Sequence, residues 1–232
     1  MSIQKNIADI LKNVEASARK VGKTLADITV IAVTKTVDCE RAKEAVSAGL
    51  NNLGENRVQE FMNKYEKMDN SDISWHIIGH LQTNKVKYII NKVKLIHSLD
   101  SVALAEEIDK RSGQRGVVTE VLIELNIGEE ESKFGIKNYE LIDFIKSVEN
   151  FENIKISGLM TVAPYMENKE EVRWVFKEMK RLYDLVSDMN FKNVKMKYLS
   201  MGMTNDYDVA IEEGSNVIRI GTAVFGSRIY NN

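Results

Sequence analysis

The sequence predicts a (β/α)8 barrel preceded by an additional N-terminal helix. Short apolar runs alternate with longer stretches of helical period, and about eight such pairs can be counted. The chain has 232 residues, which is close to the roughly 250 typical of this fold and favours a barrel over an open doubly wound sheet. Since no linker or low-complexity segment interrupts the sequence, we expect residues 1–232 to form a single domain.

The first predicted element is an amphipathic helix, on which one face carries Ile3, Ile7, Ile10, Leu11 and Val14. Three later stretches show the same spacing of three and four, with Glu, Lys and Arg between the apolar residues. These stretches predict helices over residues 103–111, 141–148 and 172–186.

The predicted strands are apolar runs rich in β-branched residues. Several of them, such as ITVIAV and EVLIEL, are apolar or nearly so at both odd and even positions. This pattern is typical of parallel strands that are covered on both faces. The runs lie at residues 28–34, 52–54, 75–78, 95–98, 118–125, 156–160, 196–199 and 217–220.

Composition excludes several classes of protein. With 44% hydrophobic and 28% charged residues the chain is not disordered, and a net charge of −2 gives no global field for nucleic acid or an anionic membrane. The first residues contain no continuous apolar segment, and no later stretch is long enough to span a bilayer. A single cysteine, Cys39, and three histidines are too few for a disulfide or a structural zinc site. We expect a cytoplasmic protein.

Candidate functional residues lie where the strands of a barrel end, because active sites of this fold occupy the carboxyl ends of the strands. The first run is followed directly by Lys35. A lysine at this place is commonly a solvated surface residue. Alternatively, a lysine amine at an apolar barrel mouth can attack an aldehyde and form a Schiff base.

A second candidate is Arg219, which lies between two isoleucines in the last apolar run. A charged group inside a covered strand requires a partner. Two interpretations remain open for the sequence: an ion pair with Glu124 in a neighbouring strand, or contact with a ligand.

The last two strands are followed by residues suited to an anion. Gly221 and Thr222 follow the eighth run, while Ser200, Gly202 and Thr204 follow the seventh. Glycines allow backbone N–H groups to approach an anion, hydroxyls can donate to its oxygens, and phosphate sites of barrels often use these two loops. A nucleophilic lysine together with a phosphate site suggests pyridoxal 5′-phosphate as the cofactor.

Several motifs occur in order along almost the whole chain: AVTKT, GENRVQE, WHIIGHLQTNK, SKFGI, GLMTVAP, LSMGMTNDYDVAI and VIRIGTAVFG. Together they resemble the YggS/PROSC family of pyridoxal phosphate homeostasis proteins. The resemblance implies a barrel similar to the N-terminal domain of alanine racemase, with the cofactor attached to Lys35 as an internal aldimine. It further implies a set of binding residues in which Arg219 faces the pyridine nitrogen, Asn56 and Met160 line the ring, and the phosphate is held by Ser200, Gly202, Gly221 and Thr222.

The resemblance also implies a function, namely buffering or delivery of pyridoxal phosphate with little catalysis. A guanidinium only donates hydrogen bonds, so a pyridine nitrogen facing Arg219 stays unprotonated and the ring is a poor electron sink. Candidate partners are other B6 vitamers and apo-enzymes that need this cofactor, and we expect a monomer. Two alternatives are an amino-acid racemase, with Tyr165, Tyr198 or Tyr207 as the second base, and a cofactor-free Schiff-base aldolase acting on a sugar phosphate.

Overall fold

Eight parallel strands form a closed barrel in the computed structural model, which describes residues 2–130 and 132–226. The predicted fold is confirmed, and each strand begins and ends within two residues of its predicted position. The predicted domain of residues 1–232 extends beyond the described ranges. The strands are β1 (Thr29–Val33), β2 (Asn52–Glu55), β3 (Ser74–Ile77), β4 (Leu95–Leu99), β5 (Thr119–Glu124), β6 (Ile154–Met160), β7 (Val194–Ser200) and β8 (Val217–Ile220).

The barrel closes where β1 pairs with both β2 and β8. Val33 lies opposite Gly54 of β2, and Ile31 lies opposite Arg219 of β8. This register brings the loops after β1 and β8 next to each other at the carboxyl end of the barrel.

Helices surround the strands: α1 (Ile3–Lys20), α2 (Cys39–Ser47), α3 (Val58–Lys67), α4 (Val102–Gln114), α5 (Leu141–Val148), α6 (Arg173–Ser187), α7 (Tyr207–Glu212) and α8 (Thr222–Phe225). Between β3 and β4 the chain forms a 3₁₀ helix, Thr83–Tyr88. The three internal helices predicted from the sequence are confirmed. Helix α4 extends past residue 111 because the buried face of Leu104 and Ile108 continues to Ser112.

The additional N-terminal helix, α1, is also confirmed. Its cap is Ser2, whose side chain accepts from the backbone N–H of Lys5 at 3.3 Å. The helix packs against α2, α7 and α8, and the Asn6 side chain donates to the Val224 carbonyl at 2.9 Å. The apolar face that it buries consists of Ile3, Ile7, Ile10, Val14 and Ala18.

Side chains of the strands alternate between two environments. One set packs outward against the helices in the main core, and includes Val30, Ala32 and Leu53. The other set points into the barrel, where a separate apolar cluster contains Leu95, Leu122 and Met160. This alternation decides which residues can face a ligand at the mouth of the barrel.

Strands β6 and β7 approach each other closely at Gly158. Its φ is +152°, and a Cβ atom at this position would lie 1.8 Å from the carbonyl oxygen of Tyr198. The pairing of the two strands shifts register at this point. Glycine is therefore required here for β7 to bring Ser200 beside Met160 at the carboxyl end of the barrel.

No helix within residues 2–130 and 132–226 combines the length and the apolar character that crossing a membrane requires.

Candidate functional site

The alternation along β1 directs Lys35 toward the mouth of the barrel. Val30 and Ala32 face the helices, so Ile31 and Val33 face inward, and Lys35 continues the inward series two residues after the strand ends. Lys35 is half-buried. It lines a cavity of about 230 Å³, here called the Lys35 cavity, together with Val33, Thr36, Val37, Asp38, Arg41, Gly221, Thr222, Phe225 and Gly226.

A second cavity, of about 340 Å³, adjoins the first and is here called the Arg219 cavity. The two cavities share Val33, Gly221 and Thr222. Its volume is within the range of small-molecule sites, about 300–1,000 Å³. The remaining residues that line it are Ala163, Pro164, Tyr165, Met166, Lys169, Val172, Met203, Thr204, Asn205, Asp206 and Arg219.

Arg219 is 3% exposed and points into the barrel from β8. Its guanidinium donates to the Ser200 Oγ at 2.6 Å and to the Thr161 carbonyl at 2.7 Å. Burial lowers its pKa to about 10, so the group remains a cation at neutral pH. Glu124, the ion-pair partner that the sequence allows, makes no hydrogen bond or salt bridge with Arg219 among the described residues, and its Oε2 has no hydrogen-bond partner there. The cation is therefore held by a hydroxyl and a carbonyl oxygen.

Behind Arg219, a chain of hydrogen bonds crosses the interior of the barrel. The Ser200 Oγ lies 3.0 Å from His97 Nδ1, His97 Nε2 lies 3.0 Å from His76 Nδ1, and His76 Nε2 lies 3.2 Å from Asn52 Oδ1. The amide oxygen of Asn52 can only accept, which puts the proton of His76 on Nε2 and that of His97 on Nε2. The Ser200 hydroxyl then donates to His97 and accepts from Arg219, so the whole chain runs in one direction.

We expect acid to destabilise the fold through His76 and His97. Burial lowers the pKa of His76 to about 3 and that of His97 well below 6.5, whereas histidine in an unfolded chain titrates near about 6.5. The unfolded chain binds more protons between these values, so the stabilisation is complete above the unfolded pKa and is lost as the pH falls toward the folded pKa. Each imidazole contributes up to about 1.4 kcal/mol per pH unit to the slope of the unfolding free energy.

The measurement is urea unfolding between about pH 7 and about pH 5, compared with the variant His97→Gln. The comparison is needed because burial raises the pKa of Glu124 to about 7, which has the opposite effect on stability as the pH falls. A glutamine amide can still accept from Ser200 and donate to His76, but it does not titrate. The variant should show a shallower loss of stability with acid, and parallel curves for the two proteins would contradict the prediction.

The residues predicted to hold a phosphate fall into two groups. Gly221 and Thr222 line both cavities at the start of α8. Ser200 and Gly202 are buried, and neither is among the residues that line the two cavities. The φ of Gly202 is +95°, and a Cβ there would lie 2.6 Å from the Ala210 Cβ, so glycine at this position lets α7 pack onto the loop.

The two residues predicted to line a ring also lie at strand ends. Asn56 follows β2 and is half-buried, and its backbone contacts Gly79, where an added Cβ would lie 2.6 Å from the Asn56 carbonyl oxygen. Met160 ends β6 and is fully buried in the interior cluster with Leu95 and Leu122. Neither is among the residues that line the Lys35 and Arg219 cavities.

A buried ion pair lies on the outer side of β1, directly beneath the Lys35 segment. Lys64 of α3 donates to Glu55 Oε1 at 2.6 Å and to the Thr34 carbonyl at 2.8 Å, and the Thr34 hydroxyl donates to the same Glu55 oxygen at 2.5 Å. Burial is the largest influence on Glu55 and raises the pKa of its carboxyl, while the Lys64 ammonium lowers it in part.

The sequence pattern does not by itself predict this pair. One signal was available, because Lys64 follows Val58 and Phe61 at a spacing of three on the buried face of α3. A lysine on an otherwise apolar helix face indicates a buried partner. The partner, Glu55, lies on β2, so its identity depends on how α3 packs against that strand.

His80 has different partners from those of His76 and His97. His80 Nδ1 lies 3.0 Å from Asp100 Oδ2, and its ring stacks on Phe134 with the centroids 3.9 Å apart. His76, four residues earlier, points into the barrel toward His97. The two histidines therefore belong to separate hydrogen-bond networks.

Comparison with known proteins identifies the family. Residues 6–229 match the family model of the alanine racemase N-terminal domain. A pyridoxal phosphate homeostasis protein of Aquifex aeolicus is 43% identical over 230 residues, which are 99% of this chain and 100% of that protein. A crystal structure of a Bifidobacterium adolescentis protein superimposes with a TM-score of 0.91 at 32% identity and covers 96% of this chain and 94% of its own.

The protein PipY of Synechococcus elongatus, whose structure contains bound pyridoxal phosphate, gives a TM-score of 0.83 at 28% identity. The superposition covers 97% of this chain and 100% of PipY. Full-length sequence identity and the shared barrel agree with the family model. The chain therefore belongs to the pyridoxal phosphate homeostasis family, whose barrel is that of the alanine racemase N-terminal domain.

Proposed function

We propose that this chain binds pyridoxal phosphate covalently through Lys35 and buffers it or delivers it to apo-enzymes, with little or no catalysis of its own. The observation that carries the proposal is the placement of an amine and a guanidinium on adjoining cavities. Lys35 lines one cavity, Arg219 lines the other, and Gly221 and Thr222 belong to both. PipY, a relative of the same size, binds pyridoxal phosphate.

The donors of the two cavities fit the functional groups of this cofactor. Its aldehyde requires an amine, its phosphate requires N–H or hydroxyl donors, and its pyridine nitrogen accepts a hydrogen bond. Lys35 supplies the amine, Gly221 and Thr222 lie between the cavities where the phosphate would bind, and Arg219 can donate to the ring nitrogen. The amine nitrogen of Lys35 would bond to the aldehyde carbon, and the aldehyde oxygen would leave as water with the two amine protons.

Arg219 is the reason for proposing a carrier. A carboxylate near the ring nitrogen keeps that nitrogen protonated, whereas a buried guanidinium only donates and leaves it neutral. Pyridoxal phosphate acts as an electron sink for carbanions, and a neutral ring does so poorly. Two of the Arg219 donors are already fixed by Ser200 and Thr161, which holds the guanidinium in one orientation. We retain Ser200, Gly202, Asn56 and Met160 as predicted contacts of the cofactor.

The experiment that tests the function is an absorbance spectrum of the purified protein, before and after incubation with pyridoxal phosphate. Borohydride reduction and peptide mass analysis follow. The expected result is a yellow protein that reduction converts to a phosphopyridoxyl adduct on the peptide containing Lys35. A colourless protein without an adduct, even with excess cofactor, would overturn the proposal.

Absence of racemase activity is expected under the same proposal. Of the three tyrosines considered as a second base, only Tyr165 is among the residues that line the two cavities, and it is 76% exposed. Incubation of the loaded protein with alanine in deuterium oxide should therefore exchange the α-proton no faster than free pyridoxal phosphate does. A clearly faster exchange, detected by proton NMR, would favour the racemase.

The proposal also covers the oligomeric state, the location in the cell and the partners of the protein. We propose a monomer that acts in the cytoplasm and that also accepts other B6 vitamers. Sedimentation with and without pyridoxal phosphate tests the monomer, and competition by pyridoxine phosphate tests the breadth of binding. Transfer of bound cofactor to an apo-enzyme, measured as recovered enzyme activity, tests delivery.

A further inference from the structure

The segment that carries Lys35 is a tight turn with an unfavourable backbone conformation. The Val37 N–H donates to the Thr34 carbonyl at 3.0 Å, which closes the turn. Within it, Thr36 has a φ of 61°. This left-handed conformation is disfavoured for a β-branched residue and persists only where the surroundings impose it.

Charged side chains impose the conformation from both ends of the turn. Glu60 of α3 accepts the Thr36 N–H at 2.7 Å. At the other end, the Thr34 carbonyl receives the Lys64 ammonium at 2.8 Å in addition to the Val37 N–H. The side chain of Lys64 is 5% exposed and that of its partner Glu55 is fully buried.

A buried ion pair usually adds little to the stability of a fold. The free energy needed to remove two charges from water offsets much of the attraction between them. A well-packed apolar pair of the same volume often makes the fold equally stable or more stable. The Oε2 atom of Glu55 also has no hydrogen-bond partner among residues 2–130 and 132–226. The pair therefore requires an explanation other than stability.

The geometry of the chain suggests that explanation. Thr34 faces the helices and Lys35 faces the cavity, so one peptide group links the residue that Lys64 holds to the residue that lines the site. Fixing the Thr34 carbonyl and the Thr36 N–H restricts the backbone dihedrals on both sides of Lys35. The direction of the Lys35 side chain from the backbone is thereby set.

We propose that Glu60 and the buried Glu55–Lys64 pair are positioning residues that hold the Lys35 turn, so that the lysine amine is directed at the aldehyde of the cofactor. The inference rests on the proposed attachment of pyridoxal phosphate to Lys35. It adds three residues of β2 and α3, none of which lines either cavity, to the machinery of attachment.

The main test is Glu60→Ala, because Glu60 is only half-buried and its loss should leave the fold intact. The matched control is Glu66→Ala, which removes an exposed carboxylate from the same helix. The measurement is the rate at which the yellow band forms after mixing with pyridoxal phosphate, together with the fraction of bound cofactor that borohydride fixes. We expect Glu60→Ala to slow attachment by about ten-fold or more, since small misplacements of a reacting group have effects of this order.

A rescue experiment separates positioning from general weakening. Glycine adopts positive φ without strain, so Thr36→Gly should restore the turn in the absence of Glu60. We expect the double variant Glu60→Ala/Thr36→Gly to attach the cofactor faster than Glu60→Ala, and Thr36→Gly alone is its control because Thr36 lines the Lys35 cavity. A merely structural role of Glu60 would lower the melting temperature and leave the fixed fraction of the bound cofactor unchanged.

The buried pair is tested by Lys64→Met, with Lys67→Met as the exposed control on α3. Because Lys64→Met alone leaves a buried carboxylate without its cation, the double variant Glu55→Gln/Lys64→Met is the one to compare with wild type. We expect this neutral variant to fold and to attach the cofactor about ten-fold more slowly.

The outcomes distinguish this inference from the proposed function. If wild-type protein forms no adduct on Lys35, the proposed function fails. If wild-type protein forms the adduct and the folded Glu60→Ala and Glu55→Gln/Lys64→Met variants form it at the same rate, the proposed function stands and the positioning role is overturned. Slow attachment that Thr36→Gly does not restore would equally overturn the role of the turn.

Discussion

Replacing Lys35 by alanine is expected to abolish the yellow band and the borohydride-fixed adduct completely. Lysine is the side chain that supplies a primary amine to an aldehyde, and Lys35 lines the cavity next to Arg219. Binding should persist in a weaker, non-covalent form, because Arg219, Gly221 and Thr222 remain. Equilibrium dialysis of pyridoxal phosphate, followed by mass analysis after reduction, measures both effects.

The matched control is Lys169→Ala, which removes the other lysine among the described residues that line the two cavities. Lys169 is exposed and pairs with Asp208. Its variant should retain the adduct on the Lys35 peptide with one cofactor per chain. An adduct of unchanged stoichiometry in Lys35→Ala would show that a different amine is the site of attachment.

Replacing Lys64 by methionine is expected to destabilise the fold strongly. Removal of the ammonium leaves the Glu55 carboxylate buried without its ion pair, which typically lowers the free energy of unfolding by about 3–5 kcal/mol. Burial already raises the pKa of Glu55, and loss of Lys64 removes the main influence that opposes this rise. Urea unfolding at neutral pH measures the loss.

Two further variants show whether the unpaired carboxylate of Glu55 causes the loss of stability. Lys67→Met, on the exposed side of α3, should change the unfolding free energy by no more than about 0.5 kcal/mol. Glu55→Gln/Lys64→Met should recover most of the loss, because neither residue then carries a charge. A double variant as unstable as Lys64→Met would mean that the lost contacts of Lys64, and not the unpaired carboxylate, are responsible.

Much of the fold could be predicted from the sequence because its signals are local. The run ITVIAV is apolar at both parities, as a strand between a packed interior and a helix layer must be. The eighth run, VIRI, coincides with β8, and the predicted helix 141–148 coincides with α5. Helix α4 is longer than its predicted range because Ser112, which gives no apolar signal, lies on the buried face.

The sequence predicts those residues of the candidate site that lie at the ends of strands. The sequence predicts Lys35 and Arg219 as site residues because the carboxyl ends of parallel strands lie together, and both residues line adjoining cavities. The chain of hydrogen bonds from Ser200 through His97 to His76 leaves no pattern in the sequence, since it joins β7, β4 and β3 across the interior. Contacts of this kind depend on barrel closure, and no spacing in the sequence reports them.

The alternation of side chains along β1 makes the site sensitive to insertions and deletions in this strand. Thr34 and Lys35 occupy opposite sides of the barrel wall, the first against α3 and the second at the cavity. Deleting or inserting one residue within β1 would exchange the two sides, because a strand has a period of two. The lysine would then enter the helix layer and the threonine would face the cavity. An insertion of two residues in β1 keeps each side chain on its own side of the barrel wall. It should therefore damage the site less than an insertion of one residue.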